Sequence, residues 1–133
     1  MIQKNLEQVS VVKFILMKNG KILVERRRPD KKIKPNMIVI PAGKIEQGET
    51  PEQALFRESY EELNIKPKKY RFIGIEKEEY QKWETTKYYY LVTEWTGTIK
   101  KQEAEELIWI TKDQIGILDT EYDKKMAEKA FIQ

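Results

Sequence analysis

Between Gly43 and Ile65 the chain reads GKIEQGETPEQALFRESYEELNI, and its acidic residues are spaced for metal chemistry. Glu58, Glu61 and Glu62 fall at i, i+3 and i+4, so a helix through them puts three carboxylates on one face. Like charges at that spacing are destabilising and require a neutralising partner. An all-oxygen donor set with no His or Cys suits hard cations such as Mg²⁺ or Mn²⁺. The helix has clear ends. Thr50 is a good N-cap, Pro51 suits the first helical position, and Thr50 with Gln53 has capping-box spacing. Asn64 tolerates the left-handed backbone that closes a helix. The plainer alternative is a solvated charged face with Arg57 and Glu61 as an i,i+4 pair. Such a face would mix signs and need no preceding glycine loop.

Gly43, Glu49, Arg57, Glu58, Glu61, Glu62 and Ile65 match in register a known signature, G-x5-E-x7-R-E-U-x-E-E-x-G-U, with U a bulky aliphatic residue. In this the chain resembles the Nudix hydrolase family. Two positions depart. Asn64 replaces the final glycine, a mild change because Asn also adopts left-handed backbone. Ser59 stands where an aliphatic is usual, on the helix side away from the carboxylates, and bears on packing. Outside this segment the similarity is to the MutT-like branch; it covers nearly the whole chain, more loosely.

The resemblance implies attack of water on a phosphorus of a nucleoside diphosphate linked to another moiety, with Mg²⁺ (or Mn²⁺) neutralising charge and acidifying the water. It assigns Glu58 and Glu62 as direct metal ligands, Glu61 as completing the set, and the Gly43 carbonyl as reaching the same ion. Arg57 then orients Glu49, structural within the motif, and its neighbours rather than touching phosphate. Relatives carry one more glutamate, a metal ligand or base, in the loop before a late Trp-containing strand. The segment between Trp95 and Trp109 holds Glu103, Glu105 and Glu106, and spacing favours Glu103, which joins the catalytic and metal-binding set. Arg27 stands where relatives place a basic contact to substrate phosphate or sugar, with Arg26 and Arg28 turned elsewhere by alternation. Asp123, Tyr80 and Trp83 are candidates for binding the base, although aromatics near strands more often belong to the core.

Composition narrows the chemistry further. The 133 residues make one domain over 1–133, and there is no Cys and no His. Thiol chemistry, imidazole general bases and N/S-ligated zinc are therefore excluded. Formal charge is only +3, from 25 basic and 22 acidic residues, which fits phosphate-bearing small molecules better than a nucleic-acid complex. Lys31, Lys32 and Lys34, then Lys66, Lys68 and Lys69, read as solvated loop charges. No apolar run reaches membrane-spanning length and the N-terminus lacks a signal-peptide core, so a cytoplasmic monomer or homodimer is expected.

These residues need positioning elements. Residues 8–18 alternate toward a strand, Asn19-Gly20 signals a type I′ hairpin, and 21–27 return as a second strand. A polar loop over 28–35, a short strand over 37–40 and a Pro41-Ala42-Gly43 loop lead into the helix. Strands are expected over 71–76, 88–95 and 107–110, and helices over 111–117 and 121–131. This order is α+β; the resemblance extends it to an α/β/α sandwich with a mixed β-sheet between helices. The implied activity is diphosphate hydrolysis on a (deoxy)nucleoside triphosphate, as in nucleotide sanitation. ADP-ribose, suggested by Pro41-Ala42-Gly43, and dinucleoside polyphosphates are alternatives in the same class. A non-catalytic nucleotide- or RNA-sensing domain is the alternative from another class, though such domains typically lose box carboxylates and none is missing here.

Overall fold

The computed structural model describes residues 5–132. Strand β1 (Glu7–Lys18) sets the layering: Val12, Phe14 and Leu16 face one side, and Lys13 and Ile15 the other, as a period of two requires. β2 (Lys21–Arg26) returns after a turn in which Asn19 and Gly20 have φ of 53° and 72°, the positive pair of a type I′ hairpin. β3 (Ile38–Val39), β4 (Ala42–Lys44), helix α1 (Pro51–Leu63), β5 (Lys66–Tyr80), β6 (Trp83–Thr96), β7 (Glu106–Thr111), a 3₁₀ helix (Lys112–Ile117) and α2 (Glu121–Phe131) follow.

The strands form one sheet in the order β3-β2-β1-β6-β5, with β4 paired to β1 and β7 to β2. β1 and β6 run parallel and the neighbouring pairs antiparallel, so the sheet is mixed. α1 buries Ala54, Leu55 and Leu63 on Val12, Phe14, Leu23 and Val92. On the opposite face the 3₁₀ helix and α2 bury Ile115, Leu118, Met126 and Ala127 on Ile15, Val24, Tyr89 and Leu91. This is the expected sandwich. β1 and β2 pair directly only at the hairpin end, at Met17↔Ile22 and Lys18↔Lys21; further along, β4 takes the place beside β1 at Val11–Lys13. The sheet opens there, and the polar groups gather at the opening.

α1 has the expected ends. The Thr50 hydroxyl accepts from the Gln53 N–H, the Gln53 side chain accepts from the Thr50 N–H, and Asn64 closes the helix at φ 62°. Ser59 is fully buried, its hydroxyl donating to the Phe56 carbonyl. Elsewhere the elements differ from expectation. β5 and β6 make one long hairpin, turning at Gln81 with φ 54° although the turn holds no Gly, Asn or Pro. Its outer half is mostly polar, and cross-strand pairing rather than an apolar phase defines it. Pro67 lies inside β5 opposite Trp95, which an edge strand tolerates. Ala42-Gly43 belongs to a strand rather than a loop, and the helix expected over 111–117 is present as a 3₁₀ helix, Lys112–Ile117. No helix among the described residues is long and apolar enough to cross a membrane.

Candidate active site

Arg57 organises the acidic face of α1. Its Nε and Nη2 donate to the two oxygens of Glu49 at 2.7 and 2.9 Å, a bidentate pair. Nη2 also donates to the Lys44 carbonyl at 2.8 Å, and Nη1 donates to Glu58 at 2.7 Å and Glu61 at 3.1 Å. All five guanidinium donors are engaged by the protein. Glu49 also accepts from the Glu46 N–H, and with Arg57 beside it its carboxyl is held down to about 2. This pair clamps the segment after β4 onto the helix.

Glu58 is buried against β4, where a Cβ on Gly43 would land on its carboxyl group. Glycine is needed at 43 for this close approach and not for a turn. Glu62 points away from Arg57, toward a hydrogen bond with Glu103. The loop carrying Glu103 is stitched at both ends. Gly97, with φ 97°, packs so closely on α1 that a Cβ would come within 2.5 Å of the Asn64 carbonyl oxygen. Asn64 Nδ2 donates to the Thr98 carbonyl, the Lys100 N–H to Leu63, and the Glu105 N–H to Arg26, each at 3.0 Å. These bonds deliver Glu103 to Glu62, whereas Glu106 forms an exposed pair with Arg26 at 3.2 Å. Glu25 of β2 completes the group: it is buried and faces the charges of Glu103 and Arg27.

On the α2 side a cavity of about 240 Å³ opens between β1, β4, β6 and α2, with Lys13, Lys34, Glu78, Tyr80, Lys87 and Tyr122 on its walls. It shares Glu25, Arg27 and Ala42 with a narrow cleft of about 50 Å³ in which Glu62 and Glu103 face Arg28 and Lys31. Cavity and cleft thus adjoin at the gap between β1 and β2. Arg27 closes the 28–37 loop by donating to the carbonyls of Ile33 and Lys34, each at 3.1 Å, and its remaining donors are left for the cleft. Arg28, expected to turn away, lines the cleft as well.

A NUDIX domain profile matches residues 6–130. The chain belongs to the Nudix hydrolase family. The 8-oxo-dGTP diphosphatase of Escherichia coli (strain K12) is 34% identical over 100 residues, 75% of this chain and 77% of that protein. The CTP pyrophosphohydrolase of the same organism is 27% identical over 109 residues, 82% of this chain and 80% of its own. A MutT NUDIX hydrolase from Burkholderia pseudomallei shares the fold, with a TM-score of 0.82 at 19% identity, over 93% of this chain and 98% of that one. This Nudix hydrolase acts on phosphoric anhydride bonds, in a family that generally uses divalent metal ions.

The donor chemistry fits such an ion. Burial, with the Glu103 carboxylate adding to it, pushes Glu62 up to about 8. Burial pushes Glu25 up to about 7 against the opposing charges of Lys13 and Arg27, and raises Glu58 despite Arg57. A bound cation would offset the burial and mutual repulsion that raise these carboxyls, and the glycine cradle at 43 admits Glu58 to the backbone of β4. As they stand, no three carboxylates among the described residues converge on one ligating point, because Arg57 draws Glu58 and Glu61 away from Glu62. A consequence is testable without substrate. The folded protein holds protons on Glu25 and Glu62 that the unfolded chain releases near its ordinary carboxyl values. Stability measured in chelator is therefore expected to fall as pH rises from about 5 to about 9, and Glu62→Gln to flatten that slope. Thermal melts across this range check it; equal slopes in the two proteins would count against the Glu62 assignment.

Of the residues expected to bind the base, Tyr80 and Trp83 line the cavity and Asp123 does not. Asp123 is fully buried, accepting from Lys13 Nζ at 2.8 Å on both oxygens, from the Tyr89 hydroxyl at 2.7 Å and from the Ile40 N–H at 3.0 Å. Docking the first turn of α2 on the sheet turns this carboxylate inward, with Lys13 between it and the cavity. Lys34 is likewise no solvated loop charge, since its Nζ is held by Glu78 and Tyr122; Lys31 lines the cleft, while Lys66, Lys68 and Lys69 are exposed as expected. Sequence reasoning missed Glu25, Lys13 and Lys87. For Lys13 the available signal was a lone charged residue in an apolar stretch, VVKFI; Glu25, beside Arg26 in ILVER, and Lys87, in TTKYY, carried no such signal.

Proposed function

We propose that this Nudix hydrolase is a Mg²⁺-dependent diphosphatase of (deoxy)nucleoside triphosphates, acting on free cytoplasmic nucleotides. One observation carries the reading: the α2-side cavity and the carboxylate cleft adjoin, sharing Glu25, Arg27 and Ala42 as common walls. A base seated in the cavity would lay its phosphates across Arg27, Arg28 and Lys31 toward Glu58, Glu62 and Glu103. The cavity holds one heteroaromatic base, which favours a mononucleotide over ADP-ribose or a dinucleoside polyphosphate. The named activities of the relatives, on 8-oxo-dGTP and on CTP, are in the same class.

Glu58, Glu62 and Glu103 would hold the metal, with Glu61 and the Gly43 backbone at its margin. Bound Mg²⁺ supplies neutralisation of phosphate oxygens and acidification of the attacking water. Arg57 keeps Glu58 and Glu61 oriented through its own bonds, and Glu49 keeps Arg57 in place. Glu103 approaches from the loop side, opposite the helix, and as an alternative to ligating the ion it would take a proton from water. Phosphate or diphosphate release from a nucleotide panel, with Mg²⁺ and with EDTA, tests the reading. Turnover of some nucleoside triphosphate in Mg²⁺ alone is expected, and turnover of none would overturn it. Glu103→Ala is expected to lower kcat about a hundredfold, the range for losing a general base, while Glu105→Ala and Glu106→Ala change it little. The reverse pattern would assign the loop carboxylate wrongly.

A further inference from the structure

Three lysines surround the ring of Tyr122: Lys87 Nζ lies 4.1 Å from its centroid, Lys34 5.3 Å and Lys13 5.6 Å. Among the described residues two carboxylates, Glu78 and Asp123, are ion-paired with them, three ammonium groups to two; Glu25, held partly protonated by burial, is the further carboxyl facing Lys13. The hydrogen-bond capacity of the cluster is as lopsided as its charge. Each oxygen of Asp123 already accepts twice. So does each oxygen of Glu78, from Lys34 and Lys87 on one and from Lys34 and the Tyr122 hydroxyl on the other. Lys34 uses all three of its donors on Glu78 and Tyr122. Lys13 uses two, both on Asp123, and Lys87 uses one, on Glu78. Two N–H groups of Lys87, whose ammonium also lies over the Tyr122 ring, and one of Lys13 therefore have no oxygen acceptor among the described residues, on side chains only 6% exposed that border the cavity.

Granting that a nucleotide base occupies this cavity, as proposed above, we infer that Lys87, seconded by Lys13, selects bases whose inner edge carries a carbonyl over bases whose edge carries an exocyclic amino group. An ammonium can donate but never accept. Guanine and thymine present carbonyl acceptors where adenine and cytosine present amino donors. A carbonyl entering the cavity satisfies buried N–H groups, whereas an amino group sets donor against donor and leaves both unpaired. The carboxylates bonded to these lysines, Glu78 and Asp123, are already occupied and cannot receive it, while Glu25 lines the cavity where it borders the cleft. Asp123 then acts on specificity at one remove, by holding Lys13 in place.

Matched nucleotides differing chiefly at that position test the inference: ITP against ATP, and UTP against CTP. Wild type is expected to favour the keto member by about 10-fold to 100-fold in kcat/KM, the worth of a hydrogen bond to a charged group. Lys87→Met, which keeps the aliphatic stem and removes the ammonium, is expected to bring both ratios close to one. Lys87→Gln, which offers an acceptor as well as donors, should do the same and serves if the methionine variant does not fold. Equal or inverted ratios in wild type, or ratios unchanged in a folded Lys87 variant, would overturn the inference. Calorimetric binding of IMP and AMP in EDTA separates this from the hydrolytic reading. If no triphosphate is turned over, the diphosphatase proposal fails. Tighter IMP binding that is lost in the Lys87 variant would still support selection by Lys87, and equal binding of the two would overturn it.

Discussion

Glu62→Gln is expected to cut Mg²⁺-dependent turnover by at least about a hundredfold while leaving the fold intact. Glu62 projects from α1 away from Arg57, so unlike Glu58 and Glu61 it has no cation already bonded to it. Its neighbours within the site are other carboxyls, Glu103, Glu25 and Glu58, and together with burial they push it up to about 8. A divalent ion entering the cleft would displace a proton from this residue first. Glutamine preserves shape and can still donate to Glu103, so packing and the loop geometry survive while the charge is lost. The metal-free variant is expected to melt above wild type at alkaline pH, because wild type must there ionise a carboxyl among like charges. The rise in Tm on adding Mg²⁺ is expected to shrink with the activity. Steady-state turnover at saturating Mg²⁺, with melts in EDTA and in Mg²⁺, reads both effects. Near-normal turnover in the variant would remove Glu62 from the metal site.

Asp123→Ala is expected to cost about 3–5 kcal/mol of stability, the range for breaking one half of a buried ion pair. The carboxylate is fully buried and receives bonds from β1 through Lys13, from β6 through Tyr89 and from the backbone at Ile40. It therefore ties α2 to the sheet at the point where the cavity begins. Alanine would strip the Lys13 ammonium, itself nearly inaccessible, of the carboxylate bonded to it, and would leave the Tyr89 hydroxyl and the Ile40 N–H unpaired. For a chain of this size the loss corresponds to a fall in Tm of roughly 10–20 °C. Chemical denaturation gives the free energy directly. A stable variant with a raised KM and a Tm within a few degrees of wild type would restore the direct substrate contact suggested by sequence and refute the anchoring role.

What could be read from the chain alone was local. Thr50, Pro51, Gln53 and Asn64 delimit α1, and the i, i+3, i+4 spacing of Glu58, Glu61 and Glu62 places three carboxylates on one face, because helix geometry converts sequence separation directly into direction. Asn19-Gly20 specified its hairpin for the same reason, since two adjacent residues must take positive φ. The register of Gly43, Glu49 and Arg57 with those glutamates led to the family and, through it, to the sandwich and to Glu103. The ends of β5 and β6 were not legible. Their outer halves gain order from pairing with each other, and nothing in either strand alone demands it.

The rest belongs to the tertiary structure. Lys13 and Asp123 are 110 positions apart, and Lys34 and Glu78 are 44 apart; neither pair has a local signature. Whether Asp123 faces a ligand or the protein depends on how α2 docks against the sheet. Glu25 reaches Glu62 and Glu103 only because β1 and β2 part company and β4 takes the place beside β1. That same opening sets the cavity beside the cleft. The sequence by itself thus determined which groups could perform the chemistry, because their spacing lies within one element. Strand register and layer packing decided which other charges surround them, because those contacts join residues that covalent geometry leaves independent.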